Sequence, residues 1–143
     1  MNSEAVEVFT KLLTLGARNP SFGLNNILVH GRPGTGKADM VQRILPNTKV
    51  VRIENPDRDR DIMTLIHLAF ESTEDLIIDI DANIFAYSRS AQSAIRELID
   101  SRFDTPLKTI IVTSIRNFQY MSEPAAHAIA ARCVLFNFDQ VEA

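Results

Sequence analysis

One glycine-rich segment, Gly31–Lys37, constrains the fold of this chain more than any other part of the sequence. The apolar run Asn26–His30 precedes it, and an apolar pattern at helical spacing follows it and ends before Pro46. A strand, a glycine turn and a helix in this order direct backbone N–H groups at an anion on a helix N-terminus. The segment therefore predicts a phosphate-binding loop. The alternative interpretation is an ordinary turn between a strand and a helix.

The loop departs from the usual pattern at its last position. Glycine, four residues, glycine, lysine and then serine or threonine form the full motif, in which the lysine contacts phosphates and the hydroxyl holds Mg²⁺. Here the lysine is Lys37, but a methyl group at Ala38 replaces the hydroxyl. We expect nucleotide binding with weakened Mg²⁺ coordination. The residues predicted to contact the nucleotide are Gly31, Arg32, Pro33, Gly34, Thr35, Gly36, Lys37, Ala38 and Asp39.

Apolar runs alternate with amphipathic helical patterns along the whole chain. The predicted strands are Asn26–His30, Lys49–Glu54, Asp75–Asp79, Thr109–Thr113 and Cys133–Phe138. Strands separated by helices favour a parallel sheet that helices cover on both faces, with the ligand beyond the carboxyl ends of the strands. The second strand is polar enough to lie at an edge. The sequence thus predicts an α/β three-layer sandwich, forming one domain over residues 1–143.

A second acidic site is expected at the end of the third strand. Apolar residues deliver Asp79 to the strand end, where a carboxylate would face Mg²⁺. Hydrolytic proteins usually place a water-orienting glutamate directly after this aspartate, but Ile80 occupies that position. Asp81 is a candidate substitute, one position late and shorter. The alternative for Asp79 is a polar residue that merely ends a strand.

The composition excludes several classes of protein. A single cysteine, Cys133, rules out an internal disulfide framework, and we expect it to be a core residue. No stretch has the length of a membrane span, and no secretion signal is recognisable, so a cytoplasmic, nuclear or viral-replication compartment is expected. The formal charge of −3 gives no overall attraction to nucleic acid. Arg52, Arg58 and Arg60 lie among acidic residues, which favours a solvated mixed-charge segment.

The order of these motifs resembles AAA+ ATPases, and within them the clamp-loader group (replication factor C, bacterial γ/τ and δ′, and phage equivalents). The segments that carry the resemblance are Gly31–Lys37, Ile77–Asp79, Ser90–Leu98, Ile110–Ser114, Glu123–Pro124 and Ala131–Phe136. The most specific is the last, because clamp loaders have a Ser-Arg-Cys motif before their final strand. The chain ends where those proteins begin a helical lid.

The resemblance implies a P-loop fold with strand order 5-1-4-3-2, without the lid domain. It also implies ATP or ADP as ligand, Mg²⁺ at Asp79, a polar sensor at Thr113 or Ser114, and Arg132 as an arginine finger for a neighbouring subunit. If Arg132 is instead structural, it is expected to pair with Asp79, Asp81 or a loop carboxylate. The implied partners are other AAA+ subunits, with DNA contacted only through the assembly and no contact with a membrane.

Three functions remain open from the sequence. The first is a clamp-loader-like subunit that binds nucleotide, hydrolyses it weakly or not at all, and donates Arg132. The second is an active stand-alone P-loop ATPase or a viral-type helicase fragment, in which Asp81 replaces the missing carboxylate. The third is a scaffold that no longer binds nucleotide. Fold similarity does not distinguish them.

Overall fold

The computed structural model describes residues 1–15, 25–54, 59–103, 105–115 and 124–142. Helices and strands alternate along the chain: α1 (Ser3–Leu15), β1 (Asn26–His30), α2 (Lys37–Ile44), β2 (Lys49–Ile53), α3 (Asp59–Phe70), β3 (Leu76–Ile80), α4 (Ala82–Tyr87), α5 (Arg89–Arg102), β4 (Thr109–Thr113), α6 (Pro124–Ala131), β5 (Val134–Asn137) and α7 (Asp139–Glu142). The predicted strands are present: β1 and β4 have the predicted bounds, and the ends of the other three strands differ by at most one residue. The short helices α4 and α7 were not predicted.

The five strands form one parallel sheet in the order β2-β3-β4-β1-β5. This is the predicted order 5-1-4-3-2 read from the other edge, and the prediction of a P-loop α/β sandwich is confirmed. Strand β2 lies at an edge, as its polar residues predicted. Because all strands run the same way, the residues that follow β1, β3 and β4 meet at one end of the sheet.

Alternation along the strands divides the core between the two faces of the sheet. In β3, Leu76, Ile78 and Ile80 contact the apolar faces of α3 and α5, whereas Ile77 packs with α1 and α2 on the opposite side. This period of two is the geometry of an extended strand, and burial on both faces explains why the central strands are apolar throughout. Helices therefore cover both faces, and polar groups concentrate at the strand ends.

The N-terminal helix and the last strand share an aromatic contact. The ring centroids of Phe9 and Phe136 are 4.5 Å apart in a stacked arrangement, and Phe138 meets Phe9 edge-on at 5.7 Å. All three rings are buried, so α1 is held against the β1–β5 side of the sheet. In the described residues, no helix is long and apolar enough to cross a bilayer.

Several sequence interpretations fall outside the described residues. Arg58 and Glu123 are among them. The side chain of Arg60 is likewise outside the described part of the structure.

Candidate functional site

The glycine loop joins β1 to α2 and adopts backbone angles that favour glycine. Gly34 and Gly36 have φ values of 73° and 78°, in the left-handed region. No atom lies within 4 Å of a Cβ built at either position, so glycine is required there by backbone conformation rather than by crowding. Gly36 caps α2 without a side-chain hydrogen bond. The loop thus leaves open space in front of the first N–H groups of α2.

Lys37 lies inside the loop rather than in solvent. Only 5% of the residue is exposed, and its ammonium group donates hydrogen bonds to the Arg32 carbonyl and, at 3.3 Å, to Thr35 Oγ1. These contacts hold the cation at the mouth of the glycine turn. Burial of an amine on loop oxygens keeps its charge next to the place where an anion would bind.

An open cavity of about 230 Å³ lies in front of the loop. The glycine loop, α2, β2, β3 and the end of β4 contribute its lining residues: Gly34, Thr35, Gly36, Lys37, Ala38, Asp39, Arg52, Asp79, Val112, Thr113 and Ser114. The structure therefore brings the glycine loop, Asp79 and both candidate sensor residues to one place. Parallel strand direction is the cause, because β2, β3 and β4 all end at this edge.

Thr113, at the end of β4, carries a polar atom that lacks a partner. The residue is 2% exposed, and its Oγ1 has no hydrogen-bond partner among the described residues. A buried hydroxyl without a partner costs free energy unless a ligand or water completes it. Its position on the cavity wall fits the predicted sensor role at Thr113, next to Ser114.

Asp79 is the next-to-last residue of β3 and lies beside Arg52 of the neighbouring strand β2. The Arg52 Nε lies 3.8 Å from Asp79 Oδ2, and the two residues are register partners in β2 and β3. Burial raises the pKa of Asp79, and the guanidinium of Arg52 opposes that shift. Glu54 and Asp39 raise the pKa further, and Lys37 lowers it. The carboxylate therefore sits in a field of nearby charges of both signs.

Arg52 is solvated and lies among charges of both signs, as the sequence predicted, but its place at the cavity was not predicted. Arg52 belongs to strand β2 and lines the same cavity as the glycine loop. The position of Arg52 could have indicated this role, because Arg52 is the last polar residue of edge strand β2, and β2 neighbours the strand that carries Asp79. Composition around Arg52 did not contain this information, because the adjacent strand is distant in sequence.

The protein offers a bound Mg²⁺ fewer ligands here than the full motif does, because Ala38 replaces the hydroxyl. Asp79 is its only predicted protein ligand, and that carboxylate is already paired with Arg52. The methyl group of Ala38 packs against the core on the α1–α2 side of the sheet. Among the described residues, no group of three or more His, Cys, Asp and Glu side chains could hold a metal ion. Mg²⁺ takes oxygen ligands, which come from the protein, from water and from the phosphates of a bound substrate.

Ile80 and Asp81 have different environments. Ile80, at the position of the expected glutamate, is 2% exposed and belongs to the core. Asp81 is exposed and caps α4, with its Oδ1 accepting a hydrogen bond from the Asn83 N–H at 2.8 Å. It also lines an adjoining cavity together with Asp79, Ser114 and Glu54, a residue that the sequence interpretation did not assign to the site.

Asp139, which follows β5, contacts Arg32 at the start of the glycine loop. The Arg32 N–H donates to Asp139 Oδ1 at 3.0 Å, and the Arg32 Nε lies 3.6 Å from the same oxygen. Gly31, with φ 151°, would place a Cβ 2.9 Å from that carboxylate. Close approach therefore explains this glycine. Asp139 was missed because it follows β5, more than a hundred residues later.

Arg132 lies away from this cavity. Its Nε donates to Asp100 Oδ1 at 3.1 Å and its guanidinium to the Ala128 carbonyl at 2.8 Å. The expected structural partners Asp79, Asp81 and a loop carboxylate are wrong, because Asp100 lies in helix α5. Arg132 precedes β5, whereas the glycine loop follows β1, which pairs with β5 in parallel. The two are separated by at least about 10 Å along the strands.

The parallel sheet, its strand order and the glycine loop between β1 and α2 define the class as a P-loop α/β fold. No protein-family model and no curated protein matches the sequence. Solved structures do match over almost the whole chain. They include a DNA replication initiation factor (17% identity, TM-score 0.66, 96% of this chain and 47% of that one). Another is AMPPCP-bound DnaA from Aquifex aeolicus (14%, 0.62, 96% and 47%).

A third similar structure is the Thermotoga maritima RuvB Holliday junction branch migration motor, at 20% identity and a TM-score of 0.57, covering 96% of this chain and 45% of that one. At these identities the similarity concerns the fold alone. The chain spans about half the length of the structures it matches.

Proposed function

We propose that this chain is an ATP- or ADP-binding AAA+ module that hydrolyses nucleotide weakly or not at all and works within an assembly of AAA+ subunits. The observation that carries the proposal is the cavity that joins Gly34–Gly36, Lys37, Asp79 and the unpartnered Thr113 hydroxyl. A phosphate chain supplies acceptors for the N–H groups of α2, for Lys37 and for Thr113. AMPPCP bound to the similar DnaA structure supports a nucleotide at this fold.

Weak hydrolysis follows from what the site lacks. Phosphoryl transfer depends on positioning and on electrostatic stabilisation, and both usually include a metal and a group that orients water. Ala38 supplies no metal ligand, and Ile80 is buried in the core where the water-orienting carboxylate is expected. The remaining groups bind and orient phosphates, which is sufficient for nucleotide affinity.

The place of Arg132 supports a role toward a neighbour. A guanidinium at the opposite end of the strands from the glycine loop cannot reach a nucleotide bound to its own chain. With 34% of its side chain exposed, it is accessible to another subunit. Within the proposal, Arg132 is an arginine finger for the nucleotide site of a neighbouring subunit, as in clamp loaders. DNA would be contacted through the assembly.

Calorimetric titration with ADP and with ATP tests nucleotide binding. We expect Lys37→Ala to weaken binding by about tenfold to a hundredfold, the cost of one charge-assisted hydrogen bond. Lys49→Ala is the matched control, because Lys49 is exposed at the far end of β2 and should leave affinity unchanged. Phosphate release should stay near background. No heat of binding with either nucleotide would refute the proposal and favour a scaffold.

A second candidate, an active stand-alone ATPase or helicase fragment, is favoured by one observation. Glu54 and Asp81 line a cavity next to Asp79, and either carboxylate could orient a water molecule there. Sustained phosphate release that Glu54→Gln or Asp81→Asn abolishes would select this function. Hydrolysis at background level with intact binding would select the first.

A further inference from the structure

Arg52 places a permanent positive charge at the phosphate cavity. Its strand, β2, is in register with β3, so that Arg52 stands directly beside Asp79. The Nε–Oδ2 distance is 3.8 Å, and 54% of the Arg52 side chain remains exposed. The guanidinium group is therefore only partly occupied by Asp79, and Arg52 lines the cavity. In the described part of the chain, Lys37 and Arg52 are the two cationic side chains that line this cavity.

The same place is where a P-loop site normally needs a metal. A divalent ion there bridges phosphate oxygens and is held by the loop hydroxyl and the strand aspartate. In this chain the hydroxyl is absent at Ala38, and the aspartate is already engaged by a cation. Both changes reduce the dependence of phosphate binding on a metal. One removes a ligand of the metal, and the other supplies a positive charge in its absence.

We propose that Arg52 replaces the divalent cation at this site, contacting the phosphates of the bound nucleotide so that binding needs no Mg²⁺. The inference rests on the proposed nucleotide-binding function and specifies its chemistry. The guanidinium fork can donate to a carboxylate on one side and to phosphate oxygens on the other. Asp79 then orients Arg52 instead of holding a metal, and Arg52 is the residue that determines metal independence.

Titration of the protein with ADP and with ATP, each in excess Mg²⁺ and in excess EDTA, tests this inference. We expect the wild-type dissociation constant to agree within about twofold between the two conditions. Arg52→Gln should weaken binding about tenfold or more in both, as expected for loss of a charge-assisted hydrogen bond. Lys49→Gln removes a charge from the same strand and should change neither value.

Two other results would overturn the role of Arg52. Loss of wild-type affinity by about tenfold or more in EDTA overturns the inference, and so does an Arg52→Gln protein that binds like wild type. Both results leave the proposed function intact if Lys37→Ala still weakens binding. Absence of binding in every condition overturns the proposed function itself. Arg52→Lys, which keeps the charge without the fork, should show an intermediate affinity and covers the case in which the glutamine variant does not fold.

Discussion

Replacing either of two arginines near helix ends by alanine should lower the free energy of unfolding, but by very different amounts. Arg132 is one-third exposed and pairs with Asp100, whose side chain is 54% exposed. An exposed ion pair contributes about 0.2–1 kcal/mol, and a cation at a helix C-terminus contributes a similar amount. We therefore expect Arg132→Ala to lower the free energy of unfolding by about 1 kcal/mol.

Arg102, at the end of α5, provides the comparison. It is 4% exposed and donates to Thr109 Oγ1 at 2.6 Å and to the carbonyls of Ser72, Glu74 and Lys108. Removal of this side chain takes a donor from Thr109 Oγ1 and from the carbonyls of Ser72 and Glu74, whereas the Lys108 carbonyl keeps the Leu76 N–H. Each buried acceptor that loses its donor costs about 1–3 kcal/mol, so the loss of several such bonds should cost about 3–5 kcal/mol. Arg102→Ala should therefore be several times more destabilising than Arg132→Ala.

Urea denaturation followed by circular dichroism measures both free energies. A double-mutant cycle between Arg132→Ala and Asp100→Ala should give a coupling of about 0.2–1 kcal/mol. The reasoning is refuted if Arg132→Ala destabilises the chain as much as Arg102→Ala does. Such a result would make Arg132 a structural residue and remove the main support for its action on a neighbour.

Stability alone does not establish that action, so the same variant is assayed in the assembly. We expect Arg132→Ala to lower phosphate release by a catalytically complete neighbouring subunit by about a thousandfold or more, as for other arginine fingers. Arg96→Ala, a change at an exposed arginine on α5, is the control. Unchanged turnover with Arg132→Ala would contradict a finger role even if the chain remains stable.

Two further predictions concern pKa shifts. Burial raises the pKa of Asp79 above its ordinary 3.8. The free energy of unfolding should therefore fall as the pH rises from 3.8 to the raised pKa, because the folded state binds the proton more tightly than the unfolded state. Asp79→Asn should be more stable than wild type at neutral pH and equal to it below pH 3.8, and a less stable variant at neutral pH would show that the attraction of Arg52 outweighs burial. Burial also raises the pKa of the Cys133 thiol to about 12. Its reaction with a disulfide reagent at pH 8 should be about a thousandfold slower in the folded than in the unfolded chain, and equal rates would place the thiol in solvent.

Much of the fold follows from local patterns. The apolar runs of β1 and β4 have the same bounds in the sequence prediction and in the structure, because both strands are buried on two faces. Strand β3 begins one residue later than predicted, at Leu76. Asp75 stands outside it with its carboxylate accepting from the Lys108 N–H at 2.9 Å. A local pattern cannot register that contact, since its partner is distant in sequence.

The candidate site divides in the same way. The sequence alone determined the glycine loop, Lys37, the missing hydroxyl at Ala38 and the aspartate at the end of β3, because these depend on neighbouring residues and on the period of a strand. Only the tertiary structure decided that Arg52 stands beside Asp79. It also decided that Asp139 braces the loop. Parallel strands place side chains from distant segments at one end of a sheet, and that proximity depends on strand order and register rather than on any local spacing.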